Sequence, residues 1–365
     1  MTTDLPPDQA ARDRIRDDLS TTIFVNAGAG SGKTTALVGR VVALVASGTV
    51  ELKSLAAITF TEKAGAELRD RVRRVLQERQ SHPDTPAAEV ERCRAAAEQL
   101  DGAAIGTLHS FAQRILSEHP VEAKLPPRIE VIDEVSSGIA FDRRWARVLD
   151  ELLADPTLER TLLLLDAAKV NANKLRTLAR AFDASWDLVD DRIPVTAPEP
   201  PPVATFLHKL DGAIPELRAC CADCIDPSDG LVQRIDAFEI YLRALGAAGD
   251  DLDLMELLCD PTVRPSAKVS RVGKKTNWRG TIDDVRARVV ELGEVLDEVR
   301  RTSLQACARH LASAMRRHTL AAAEARRAAG QLEFHDLLVL ARQVLRDPVQ
   351  GPIVRASLRD RYQRL

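Results

Sequence analysis

Apolar positions along the chain follow two rhythms. Up to about residue 120, short apolar runs alternate with segments of helical spacing. Ile23, Phe24 and Val25 in TTIFVNAG predict a buried strand over Thr21 to Gly28, and Leu37, Val38, Val41, Leu44 and Val45 predict a helix ending near Gly48. LAAITFTEKAGAELRDRV, Leu55 to Val72, repeats the plan: a strand, then a helix capped by Thr59 or Thr61 and basic on its exposed face at Arg69, Arg71 and Arg73. AAIGTLHSFAQRIL, Ala103 to Leu116, repeats it again, with Thr107, His109 and Ser110 at the turn. From about Ser136 to Ala325 the pattern is helical throughout, as in FDRRWARVLDELLAD and DDVRARVVELGEVLDEVRR. That stretch is too long for a connection and predicts an inserted helical domain, in which the proline run Arg192 to Pro202 is a stiff spacer. The expected organisation is an α/β lobe over 1–135, the insertion over 136–325 and a return to the lobe over 326–365.

Composition narrows the picture. With 365 residues, 45% hydrophobic and 29% charged, the chain is globular with two or three domains. Its start is polar, without a signal peptide, and Arg40 and Asp166 cut the longest apolar runs well short of a membrane span, so a cytoplasmic protein with no membrane partner is expected. The 51 Lys and Arg residues nearly balance 54 Asp and Glu residues, so a basic surface for nucleic acid has to be local. Cys221 and Cys224 form a C-x-x-C beside Cys220, but no second pair or nearby histidine completes a zinc site, and reduced thiols on a helix are the simpler reading.

The strongest chemical signal is AGAGSGKTT, Ala27 to Thr35, between the predicted strand and helix. Gly28, Gly30 and Gly32 let backbone N–H groups converge on phosphates, Lys33 offers a point charge for the outer phosphates, and Thr34 offers a hydroxyl for magnesium. The helix start adds its own preference for anions. Ala27 stands where the strict pattern has its first glycine, a small departure.

AGAGSGKT, ITFTEKAGAELRDRV and TLHSFAQRIL, in that order, resemble the UvrD/Rep-type superfamily 1 DNA helicases, and the lengths between them resemble the AddA/RecB helicase-nuclease branch. The likeness covers about residues 5 to 120 and again EFHDLLVLARQVL. It implies an incomplete P-loop NTPase (RecA-like) parallel-sheet lobe with a large inserted all-helical domain. It also implies ATP-driven movement on single-stranded DNA, unwinding of duplex DNA in double-strand-break repair, and a helicase-nuclease partner subunit. By that resemblance Gln9 reads the adenine of ATP; Ala27, Gly28, Ala29, Gly30, Ser31, Gly32, Lys33, Thr34 and Thr35 hold the nucleotide, with Mg2+ at Thr34; and Thr59, Phe60, Thr61, Thr107 and His109 face single-stranded DNA.

The residues leave alternatives open. Phe60 at a strand end offers a ring for base stacking or packs in the core, and His109 touches DNA or caps its helix. In the insertion, KVSRVGKKTNWRG, Lys268 to Gly280, sets Lys274 and Lys275 against phosphates with Trp278 stacking, or is a solvated turn that Trp278 anchors. RIEVIDEVSSG, Arg128 to Gly138, imitates the acidic strand that manages magnesium and water. The resembling helicases carry D-E-x-Q-D there, and after Asp133 and Glu134 this chain has Val135, Ser136, Ser137 and Gly138. No catalytic carboxylate is therefore assigned, and the acidic strand is expected beyond Leu365. The rival readings are a stand-alone nucleotide- or DNA-binding module without turnover and a P-loop kinase, which explains neither ITFTEKAG nor TLHSF.

Overall fold

A computed structural model of the protein describes residues 8–28 and 30–365. In chain order these form α1 (Gln9–Asp17), α2 (Lys33–Ala46), β1 (Ala56–Thr59), α3 (Glu62–Ser81), α4 (Ala87–Gln99), β2 (Ala104–Thr107), α5 (Leu108–Glu118) and β3 (Glu130–Val131). There follow α6 (Glu134–Ala154), α7 (Glu159–Ala167), α8 (Ala172–Asp183), α9 (Trp186–Arg192), α10 (Ala213–Cys221), α11 (Gly230–Gly246), α12 (Asp251–Cys259) and α13 (Ile282–Ala329). The chain closes with β4 (Gln331–Leu332), α14 (Phe334–Arg346) and α15 (Gln350–Arg361). Two compact units result: one holds the described residues up to Ile132 with Arg326–Leu365, the other Asp133–Ala325.

In the first unit, β1 and β2 pair in parallel with Ala56 opposite Ala104 and Thr59 opposite Thr107. Parallel neighbours need a long crossover, which α3 and α4 supply. Gly65 lets α3 lie close on the sheet, because a Cβ there would stand 3.2 Å from the Gly106 Cα. The core under this crossover joins Val38, Val41, Val42 and Val45 of α2 to Leu68, Val72 and Leu76 of α3 and to Ile105 of β2. On the other side of β1, the Ala56 N–H donates to the Arg364 carbonyl at 2.9 Å and the Gln363 N–H to that of Ser54 at 2.9 Å. A second parallel pair joins β3 to β4, Glu130 opposite Gln331. Just before β4, the buried Arg326 guanidinium donates from Nε to Asp336 Oδ2 at 2.8 Å and from Nη2 to Oδ1 at 3.1 Å, a two-point pair that ties the end of α13 to the start of α14.

The strand predicted over Thr21 to Gly28 does not form. The segment has no regular structure and pairs with no described strand, and Phe24 is 92% exposed. Apolar β-formers become a strand only where a neighbour supplies N–H and C=O groups in register, and periodicity does not report that neighbour.

The second unit is helical. Val285, Val289, Leu292, Leu296 and Val299 form one apolar stripe of α13, packed into a core with Ile235 and Phe238 of α11 and Met255 of α12. Among the described residues no helix is long and apolar enough to cross a membrane.

Candidate nucleotide and single-strand site

The helices that follow β1 and β2 start with side-chain caps, and the helix that follows the glycine loop does not. α3 is capped by Thr61, whose hydroxyl accepts from the Ala64 N–H at 3.2 Å, and α5 by Thr107, which accepts from the Ser110 N–H at 3.1 Å. α2 begins at Gly32 with no side-chain cap. Its first-turn N–H groups have no partner within the helix, and the dipole favours an anion there. Gly30 (φ 74°) and Gly32 (φ 83°) hold the left-handed conformations that turn the loop into this helix, which a side chain would strain.

Lys33 lies across its own loop, its ammonium donating to the carbonyls of Ala27 and Gly28, both at 2.7 Å. The Ser31 hydroxyl donates to the Gly28 carbonyl at 2.8 Å. Thr34 and Thr35 are exposed on the first turn of α2. Ala29 lies outside the described residues. These features fit a bound triphosphate: an uncapped helix start, glycines at positive φ and an exposed lysine at the loop. Lys33 with the loop N–H groups would hold the phosphates and the Thr34 hydroxyl would reach a magnesium ion.

Gln9 sits on the first turn of α1, half-buried, and donates from Nε2 to Asp13 Oδ1 at 3.0 Å. Arg12 donates to the Ser31 carbonyl at 2.8 Å, and Arg40 of α2 donates to the carbonyls of Ile15 and Asp18, each at 2.7 Å. The hydrogen bond from Arg12 holds the Asp8 carboxyl below its ordinary value. Neither arginine stood out in the sequence. The available hint was Arg40 interrupting an otherwise apolar run of α2.

The residues of the first unit named for DNA differ in where they lie. Phe60, directly after β1, is 99% exposed, which removes the core reading. Thr61 is exposed but caps α3, and Thr59 donates its hydroxyl to the carbonyls of Thr61 at 3.1 Å and Gly106 at 3.2 Å. Thr107 is a correction: it is buried, and its hydroxyl donates to Glu62 Oε1 at 2.8 Å and accepts from the Ser110 N–H, so it serves the start of α5 rather than an exposed face. A threonine that opens a helix is a cap before it is a contact, because the first-turn N–H groups compete for its oxygen. His109 is half-buried, its ring edge-on to Phe334 with centroids 5.5 Å apart.

In the helical unit, Lys274 and Lys275 are exposed, and the Lys275 ammonium lies 3.3 Å from an Asp283 carboxylate oxygen. Trp278 is the second correction. It is buried in the helical core, paired through its backbone with Cys224, so its indole is not a stacking face. The loop is held by the buried Asp229, which accepts from the Lys274 N–H and from Asn277 Nδ2, both at 2.9 Å. Asp133 caps α6, accepting from the Ser136 N–H at 2.7 Å, and that hydrogen bond lowers its pKa. Glu134 is the first residue of the same helix.

The model of the UvrD/REP helicase N-terminal domain matches residues 8–365. The chain is 30% identical over 188 residues to an ATP-dependent helicase/nuclease subunit of Limosilactobacillus fermentum, covering 49% of this chain and 13% of that protein. It is 36% identical over 122 residues to DNA helicase II of Haemophilus influenzae, covering 33% of this chain and 14% of that protein. A third relative, an ATP-dependent helicase/nuclease subunit of Desulforudis audaxviator, is 34% identical over 144 residues, 38% of this chain and 11% of the relative. The matched part of the chain thus spans only a small share, 11% to 14%, of the length of these relatives. With its family model matched from residue 8 to residue 365, the chain belongs to the UvrD/REP helicase N-terminal domain family.

Proposed function

We propose that the chain binds ATP with Mg2+ and single-stranded DNA, as the nucleotide-binding part of an ATP-dependent DNA helicase that moves along single strands and unwinds duplex. The observation that carries the reading is the glycine loop opening on the uncapped start of α2, with Lys33 lying across it. Gly28, Gly30, Gly32 and Lys33 with their neighbours would hold the phosphates, Thr34 the magnesium, and Gln9 the adenine. Phe60, fully exposed after β1, would stack on a base, while Lys274 and Lys275 would meet backbone phosphates. In this reading the first unit is a RecA-like lobe and the helical unit its insertion. The names of the relatives support a helicase/nuclease assembly as the setting of the whole protein, and DNA break repair and recombination is the role we propose for it.

In this reading Asp133 and Glu134 take no part in the chemistry, and Asp133 uses its carboxylate as a helix cap. Titration of the chain with Mg·ATP and with an oligothymidylate, followed by steady-state hydrolysis with the oligonucleotide present, tests the proposal. Saturable binding of both ligands, with any hydrolysis unaffected by Asp133→Ala or Glu134→Ala, is the expected outcome. Absence of nucleotide binding would remove the reading, and DNA-stimulated turnover abolished in either variant would make VIDE the acidic strand.

A further inference from the structure

Resting on the reading of Gln9 as the base contact, we infer that Arg40 is a positioning residue for nucleotide-base recognition, acting by holding α1 in place. α1 carries Gln9 yet fully buries none of its residues, and Leu19 just beyond its end joins the core only in part, so apolar packing alone does not fix where it lies. Hydrogen bonds to backbone carbonyls do. Arg40 reaches from α2 and donates from Nη1 to the Ile15 and Asp18 carbonyls, both at 2.7 Å, and from Nη2 to the Thr21 carbonyl at 2.8 Å. Ile15 belongs to the last turn of α1, Asp18 is its C-cap, and Thr21 opens the segment leading to the phosphate loop.

The last carbonyls of a helix have no partner within it and carry the negative end of its dipole. A guanidinium suits them because it is cationic and carries five donors in a fixed plane. Arg40 thereby joins three things in one contact: the end of the helix that bears Gln9, the approach to the phosphate loop, and the helix whose start would receive the phosphates. A second tie runs from α1 to the loop. Arg12, three residues after Gln9 and so on the same side of the helix, donates from Nη2 to the Ser31 carbonyl at 2.8 Å, while Asp8 steadies it with bonds of 3.0 Å to Nε and 2.9 Å to Nη2. Two arginines thus link the helix of the base contact to the loop and helix of the phosphate contact, where the core supplies little.

A positioning role and a merely structural one differ in what they do to ligands with and without a base. Mg·ATP and Mg·tripolyphosphate share the phosphates, and only the first has an adenine. Both would be titrated calorimetrically into the full chain and into Gln9→Ala, Arg40→Gln and Arg40→Lys, with thermal unfolding of each. Arg40→Gln and Gln9→Ala should each weaken ATP by roughly three- to tenfold, the scale of a net hydrogen bond, and leave tripolyphosphate within about twofold of the parent. Arg40→Lys, which keeps the charge but not the planar fork, should fall between parent and Arg40→Gln for ATP alone, and it carries the test should Arg40→Gln fail to fold. Equal losses for both ligands, or unchanged ATP affinity in both Arg40 variants, would overturn the inference. A parent chain that binds ATP no tighter than tripolyphosphate, or a Gln9→Ala chain that binds ATP like the parent, would instead remove the base contact itself, and the inference with it.

Discussion

Phe60 and Trp278 invite one comparison: each is a large aromatic residue beside lysines, Lys63 in one case and Lys274 and Lys275 in the other. Phe60 stands 99% exposed after β1, while Trp278 is 7% exposed inside the helical core. The neighbourhood decides. Trp278 follows a turn that Asn277 and the Lys274 N–H fasten to Asp229 at the start of α11, and the helical core closes over the indole. Phe60 leaves the sheet just where Thr61 must cap α3, and this turn leaves the ring outside the core. An aromatic side chain among basic residues becomes a stacking platform only where packing does not claim it.

Four measurements test that contrast. Trp278→Ala should have the largest effect, about 3–5 kcal/mol of lost stability, the usual cost of emptying a buried aromatic site, with Mg·ATP affinity unchanged. Chemical denaturation with a parallel ATP titration checks it, and a stable variant that binds DNA poorly would reverse the comparison. Lys33→Ala should leave stability nearly untouched and cost about 1.5–3 kcal/mol of nucleotide affinity, the range for hydrogen bonds to charged groups. Unchanged affinity by calorimetry would take the loop out of the account.

Phe60→Ala should cost about 1–3 kcal/mol of single-strand affinity without moving the unfolding midpoint, since the ring contributes nothing to the core. A lower midpoint with unaltered DNA binding would return Phe60 to packing. The smallest effect concerns pH in the helical unit. Burial, with Arg317 alongside, lowers the pKa of His318 from its ordinary 6.5, against the pull of Glu151. The unfolded chain therefore binds a proton near pH 6.5 that the folded unit refuses until lower pH, so this contribution to stability is present above 6.5 and declines as pH falls below it. His318→Gln should flatten that decline in thermal midpoints compared at about pH 8 and about pH 5.5, and an identical slope in parent and variant would count against it.

Much of the candidate site was legible because it is local. The helix of α2 followed from Val38, Val41, Leu44 and Val45, all buried, although Leu37 of the same predicted stripe is exposed. The glycines of the phosphate loop were readable because positive φ at Gly30 and Gly32 is a property of the residue itself. The cap of α3 was narrowed to two threonines, of which Thr61 does the work while Thr59 ties the turn to Gly106. What failed depended on partners distant in sequence. The strand over Thr21 to Gly28 lacked a neighbour, Thr107 was taken by Glu62 and its own helix, and Trp278 was enclosed by helices that periodicity could count but not arrange.

Read without coordinates, the chain gives the order of the phosphate loop and its helix, a threonine cap for α3, the helical character of the long middle stretch and the family to which these motifs belong. Each depends on dihedral preference, apolar spacing or hydrogen bonds over a few residues, and such information is written where it acts. Only the tertiary structure decided that Phe60 is open and Trp278 closed, that Lys33 lies across its own loop, and that Arg12 and Arg40 hold α1 through backbone carbonyls. Those outcomes are set by which groups meet after the chain has folded back on itself. A guanidinium can satisfy any carbonyl that comes within reach, and the sequence does not say which one will.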